Sequence, residues 1–205
     1  SNISPVKITL NLFSAITLMI INAGESSIMG INIGILFPLV IIPIGILGAT
    51  TSFNFLAGYN GLEARQGIIL LSAMALATYL TGNSWLSVVA MCMVASLLAF
   101  LIFNKNPAKI FPGDVLTYSV GILIAAMAII GNIEKIAIFF FIPYILEVFL
   151  KSRGKLIKQS FGKPNKDGSL EMPYDKIYGL EHFAIWFLKK FKNKVYEKDV
   201  VYFIY

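Results

Sequence analysis

The chain has 205 residues, of which 57% are hydrophobic and only 14% charged, with a formal net charge of +6 and a mean hydropathy of +0.76. This composition excludes an ordinary soluble domain and marks an integral membrane protein. The single cysteine, Cys92, lies in an apolar run, which excludes a disulfide framework and a thiolate metal cluster.

Crossing the hydrocarbon takes about 20 residues of helix. Six apolar runs approach that length, at residues 8–23, 33–53, 67–81, 85–103, 115–130 and 135–150. Open strands would leave backbone groups unpaired in lipid, so the expected fold is an all-α polytopic transmembrane bundle, one membrane domain over residues 1–205. Pro38, Pro43 and Pro143 fall inside spans and are expected to kink them. Residues 200–205 read as the first turns of a seventh span, no signal peptide opens the chain, and the sequence is expected to be a fragment cut at both ends.

Alternating spans place residues 1–7, 54–66, 104–114 and 151–199 on one side. All of the 17 lysines and arginines except Lys135 lie there. By the positive-inside rule that side is cytoplasmic, and the charge reports topology, with no nucleic-acid partner implied. In the long loop 151–199, Asp167-Gly168 is a hairpin signal ahead of Ser169 to Met172. The aromatics and lysines of residues 180–192 suggest an interfacial helix. His182, the single histidine, reads as a surface or capping residue, because no second histidine could share a metal with it.

Two polar loops carry the chemistry. One runs Asn54-Phe-Leu-Ala-Gly58-Tyr-Asn60-Gly-Leu-Glu63, and the other runs from Asn104 to Phe111-Pro-Gly-Asp114. Magnesium prefers hard oxygen donors and usually takes only one or two from protein, leaving the rest to water and phosphate. Asn54 and Asp114 fit that description, each at the cytoplasmic end of a span. Gly58, Gly61 and Gly113 would let backbone approach a phosphate, although each taken singly is ordinary loop punctuation.

The pairing of Asn54-x-Leu-Ala-Gly-x-Asn-Gly-Leu-Glu with Asn104-x-x-Pro-Ala-x-x-Phe-x-Gly-Asp114 resembles the signatures of the polyprenyl-phosphate N-acetylhexosamine-1-phosphate transferases. That family includes the bacterial phospho-MurNAc-pentapeptide translocase. The Leu-Ala-Gly-x-Asn-Gly form resembles its eukaryotic and archaeal branch, which uses UDP-N-acetylglucosamine and dolichyl phosphate. The resemblance implies magnesium on Asn54 and Asp114, with Lys7 and Asp114 as catalytic residues. It also implies uracil held by Asn60 and Phe111, and a nucleotide site lined by Gly58 and Glu63. The segment Lys166-Asp-Gly-Ser-Leu-Glu-Met172 resembles the family's sugar-phosphate loop. The family's Arg-His-Arg run is missing there, and Lys158 and Lys163 are the nearest substitutes.

The chain departs from the family at Thr51, where a further asparagine is common. The family's adjacent aspartate pair would precede Ser1, so this segment alone is expected to be inactive. The implied partners are the sugar nucleotide, a polyprenyl phosphate, the bilayer and a second copy in a homodimer. The implied membrane is an archaeal plasma membrane or the endoplasmic reticulum, with a cytoplasmic active site. A bacterial-type undecaprenyl-phosphate transferase remains open, as does a transporter, although no ionisable residue stands at the middle of a span.

Overall fold

The computed structural model describes residues 5–21, 27–28 and 31–205, with side chains from Thr9 onward except those of Leu10, Ser27 and Ile28. The expected spans are helical in it. The first is α1, Pro5–Ile20, and a two-residue antiparallel pair follows, β1, Ser27–Ile28, with β2, Ile31–Asn32. The second begins as a π-helical stretch, Phe37–Ile41, and continues as α2, Ile42–Phe55. Pro38 lies within that stretch and Pro43 just after it, and a ring without an N–H removes a backbone bond and widens the turn. Next come α3, Leu62–Leu80, α4, Ser84–Asn104, and α5, Gly113–Ile130. The last expected span is two helices, α6, Glu134–Phe140, and α7, Ile142–Arg153, broken at Phe141 where Pro143 enters the first turn of α7.

Three segments are long and apolar enough to cross a membrane by length and composition: Phe37–Phe55, Ser84–Asn104 and Gly113–Ile130. The other expected spans are helices that are shorter, more polar at one end or interrupted. Apolar α1 has 16 residues, α3 opens on Glu63, Arg65 and Gln66, and the α6–α7 pair is interrupted. The outward face of α4 carries Val88, Leu98 and Ile102, all more than half exposed, which lipid would cover.

One core binds the bundle, with Phe53 of α2 and Leu56 just after it against Leu71 and Met74 of α3, Leu97 of α4 and Ile124 of α5. A second joins α1 to α2 and α5 through Ala15, Phe37, Ile46 and Ile129. The turn before α4 meets the one after α5, Asn83 Nδ2 donating to the Gly131 carbonyl at 3.4 Å. This leaves the two polar loops together at the other end, as the alternation requires.

The segment after α7 folds onto that end. Its hairpin pairs β3, Lys163–Pro164, antiparallel with β4, Leu170–Glu171, and the turn is tied by Ser169 N–H donating to Asp167 Oδ1 at 3.1 Å. Then follow α8, Leu180–Leu188, and α9, Glu197–Ile204. The interfacial helix is shorter than expected and is not purely superficial. Ala184 and Ile185 are buried with Tyr59, Leu62, Val195 and Val200, while Trp186 and Phe191 stay exposed. His182 is fully buried, contrary to the surface reading, and its Nδ1 accepts from Tyr178 N–H at 3.2 Å. Burial, then the charge of Lys151, hold its pKa below the usual histidine value.

Candidate active site

Asn54 and Asp114 are 60 positions apart in sequence, and the contact of α2 with α5 brings them together. That contact is close because Gly121 has no side chain. A Cβ there would lie 2.6 Å from Thr50 Cα and 3.0 Å from Thr50 N. Thr50 lies one turn before Asn54, and Gly121 two turns after Asp114, so the backbone contact sets the spacing at the mouth. Asn54 Nδ2 donates to Asp114 Oδ1 at 2.8 Å and to Thr117 Oγ1 at 2.8 Å. Thr117 in turn donates to the Asp114 carbonyl at 3.2 Å.

The pair opens on a cavity of about 660 Å³ whose wall includes Asn54, Gly58, Glu63, Phe111, Asp114, Thr117, Lys151 and Lys158. Three elements close it. The α2–α3 loop is shaped by Glu63, whose Oε1 accepts the Gly58 N–H at 2.6 Å. The α4–α5 loop is anchored by Asn104 Nδ2 donating to the Ile110 carbonyl at 2.9 Å, and it presents Phe111 with its ring two-thirds exposed. The segment after α7 supplies Lys158, Gln159, Ser160 and Phe161.

Phe161 stands over Gly58, whose φ is +119°, and a Cβ at Gly58 would meet that ring at 2.6 Å. Only glycine takes this backbone without strain and leaves the space. Tyr59 completes the lock, packing edge-on to Phe161 at 5.6 Å and accepting the Gly162 N–H at 2.8 Å. Burial pushes the Tyr59 phenol up to about 12.

The structure thus gathers Asn54, Gly58, Glu63, Phe111, Asp114 and Lys158 around one cavity. Lys158 also spans 4.6 Å to the Tyr174 ring. Two expected residues are not brought to it. Asn60 does not line the cavity, because its N–H donates to Glu197 Oε1 at 2.5 Å and its Nδ2 to Glu197 Oε2 at 3.3 Å, tying the loop to the start of α9. Lys163 sits exposed in β3, paired in register with Glu171, and does not line the cavity. Lys7 falls in the first turns of α1, and its side chain lies outside the described residues.

Sequence reasoning missed Thr117, Lys151 and the Ser160–Phe161 wall. Thr117 had a usable signal, since it follows Asp114 by three positions and shares its helix face. Lys151, set in the last turn of an apolar helix, looked like a topology charge.

The side-chain oxygens of this pair are of the hard type that a divalent cation prefers. Asn54 Oδ1 and the Asp114 carboxylate are the kind of donors magnesium takes, and the adjoining cavity leaves room for water and phosphate. Among the described residues no group of three or more His, Cys, Asp or Glu side chains is placed to hold a metal.

The sequence pattern of glycosyl transferase family 4 matches residues 3–132. A Saccharolobus solfataricus protein provisionally named UDP-N-acetylglucosamine–dolichyl-phosphate N-acetylglucosaminephosphotransferase is 39% identical over 187 residues, covering 88% of this chain and 58% of its own length. A protein of the same provisional name from Sulfolobus acidocaldarius is 34% identical over 191 residues, covering 90% of this chain and 58% of its own. The phospho-N-acetylmuramoyl-pentapeptide-transferase of Halalkalibacterium halodurans is 33% identical over 128 residues, covering 58% of this chain and 39% of its own. The chain therefore spans somewhat over half the length of the archaeal relatives it matches.

Proposed function

This chain belongs to glycosyl transferase family 4, and from that premise we propose that the intact protein transfers N-acetylglucosamine 1-phosphate from UDP-N-acetylglucosamine to a dolichyl-type polyprenyl phosphate, releasing UMP. The names of its two archaeal relatives suggest the substrates. The observation that carries the reading is the 2.8 Å meeting of Asn54 with Asp114 at the mouth of a cavity of about 660 Å³.

The reaction is an in-line displacement. An oxygen of the polyprenyl phosphate forms a bond to the β-phosphorus, the bond from that phosphorus to the bridging oxygen breaks, and UMP departs with that oxygen. Such a transfer asks the protein mainly for positioning and charge neutralisation. Magnesium on Asn54 and Asp114 would supply charge screening for the diphosphate. Asn54 is fixed beside Asp114 by donating through Nδ2 to Asp114 and Thr117. Gly58 lets the loop approach the nucleotide, Phe111 offers an exposed ring for stacking on the base, and Lys158 adds positive charge at the rim.

The acceptor's tail needs an apolar path. A second cavity of about 420 Å³ lies between α2, α5 and the α6–α7 break, lined by Ile44, Ser52, Ala125, Ala128, Phe141 and Ile145 among others. It suits a prenyl chain whose phosphate reaches the mouth beside Asn54. The site would face the cytoplasm, where sugar nucleotides are made, in the plasma membrane of an archaeon, as in the source organisms of the relatives. A homodimer belongs to the same proposal.

The test is release of UMP from UDP-N-acetylglucosamine by the intact protein, expected only with magnesium and a polyprenyl phosphate together. Release without the lipid acceptor would overturn the reading.

A further inference from the structure

Lys151, in the last turn of α7, is the one buried lysine or arginine among the described residues, and it lines the cavity. Its ammonium donates to Ser160 Oγ on the cavity wall and stands 5.5 Å from the Phe55 ring. Behind it are two buried carboxylates. Glu147, one turn earlier, lies 3.7 Å from the ammonium, and neither Glu147 nor Glu181 lines the cavity.

A lysine serving only to neutralise a buried acid makes a direct contact of about 2.7–2.9 Å. Here the closer commitment of Glu147 is elsewhere. Its Oε2 accepts the Leu180 N–H at 2.6 Å, which satisfies an open donor at the start of α8. Glu181 shares the space. A Cβ on Gly179 would be 2.9 Å from Glu181 Oε2 and 3.1 Å from Glu147 Oε1. Burial first, then the neighbouring Glu147 charge, push Glu181 well above the usual carboxylate range. The ammonium is held at the cavity wall by Ser160. An ammonium carries three donors, and the bond to Ser160 accounts for one.

We propose that Lys151 binds the diphosphate of the sugar nucleotide from the α7 wall of the cavity, and that Glu147 and Glu181 are positioning residues that aim it. This rests on the transferase reading above and adds a phosphate-binding residue that the loop motifs do not contain. It also links the fold of the long loop to the chemistry, because Glu147 ties α8 and Ser160 ties the preceding wall to the same side chain.

The experiment measures UMP release by the intact protein and, separately, inhibition by UDP and by uridine. Wild type must first show magnesium- and acceptor-dependent release, and its absence would sink the transferase reading by itself. In an active background, Lys151→Met is expected to weaken UDP inhibition and raise KM for the sugar nucleotide about ten-fold or more, leaving uridine inhibition unchanged. Lys151→Arg is expected to restore most of the loss. Equal weakening of UDP and uridine, or no weakening of either, would overturn the proposal. Should Lys151→Met fail to fold, Glu147→Gln carries the test: a raised KM with uridine inhibition intact supports the aiming role, and an unchanged KM overturns it.

Discussion

Replacing Gly121 by alanine should damage the site from two turns away without touching any residue of it. The new methyl would lie 2.6 Å from Thr50 Cα, 3.0 Å from Thr50 N and 3.2 Å from the Ala49 carbonyl. All three are backbone atoms that cannot rotate aside. Carbon atoms in ordinary contact are about 3.5–4.0 Å apart, so α2 must retreat by about 1 Å. Carried rigidly along α2, that shift takes the Asn54 to Asp114 contact from 2.8 Å to beyond the ~3.2 Å reach of a hydrogen bond. A misplacement of about 1 Å can cost roughly 100-fold in rate, and the overpacking itself about 1–3 kcal/mol of stability. UMP release by the intact protein in lipid vesicles, with melting followed by intrinsic fluorescence, reads both quantities. Gly121→Ala running at the wild-type rate would refute the link between helix spacing and the metal-binding pair.

Other perturbations separate the parts of the site. Asp114→Ala should abolish magnesium-dependent release and weaken Mn²⁺ binding measured by electron paramagnetic resonance; retained activity would contradict the metal assignment. Tyr59→Phe leaves the buried Gly162 N–H without its acceptor, which should cost about 1–3 kcal/mol and lower the melting temperature. Phe161→Ala removes the ring standing over Gly58 and should raise KM for the sugar nucleotide several-fold in a steady-state assay while sparing KM for the lipid. His182 titrates below the ordinary histidine value of 6.5 in the fold, so on acidification the unfolded chain takes up its proton first. Its contribution is present above about pH 6.5 and is lost as pH falls towards the folded pKa. His182→Gln should flatten that acid-side slope in melting temperature measured against pH.

Much of this architecture could be read from residue order. Hydropathy located the helical segments, and the lysines and arginines assigned the polar loops to one face, where the structure gathers them. The prolines marked where α2 becomes π-helical and where α6 breaks from α7. The turn at Asp167-Gly168 announced its hairpin. These signals are legible because they are local, each depending on a backbone dihedral, a missing N–H or the transfer of a short apolar run into lipid. The loop motifs also singled out Asn54 and Asp114 as partners, although nothing local brings them together.

What lay beyond the sequence is long-range. Asn60 was expected at the base but is tied to Glu197, 137 positions later, because two elements dock there. Lys163 and Lys158 looked equivalent as charges, and the structure places Lys158 on the cavity wall and Lys163 in the exposed hairpin. Lys151 read as one more positive-inside charge until α8 and the Ser160 wall closed around it. Periodicity and motif fix which groups stand at the membrane face. Burial and partner choice depend on which distant segment covers each group, and that is decided by packing.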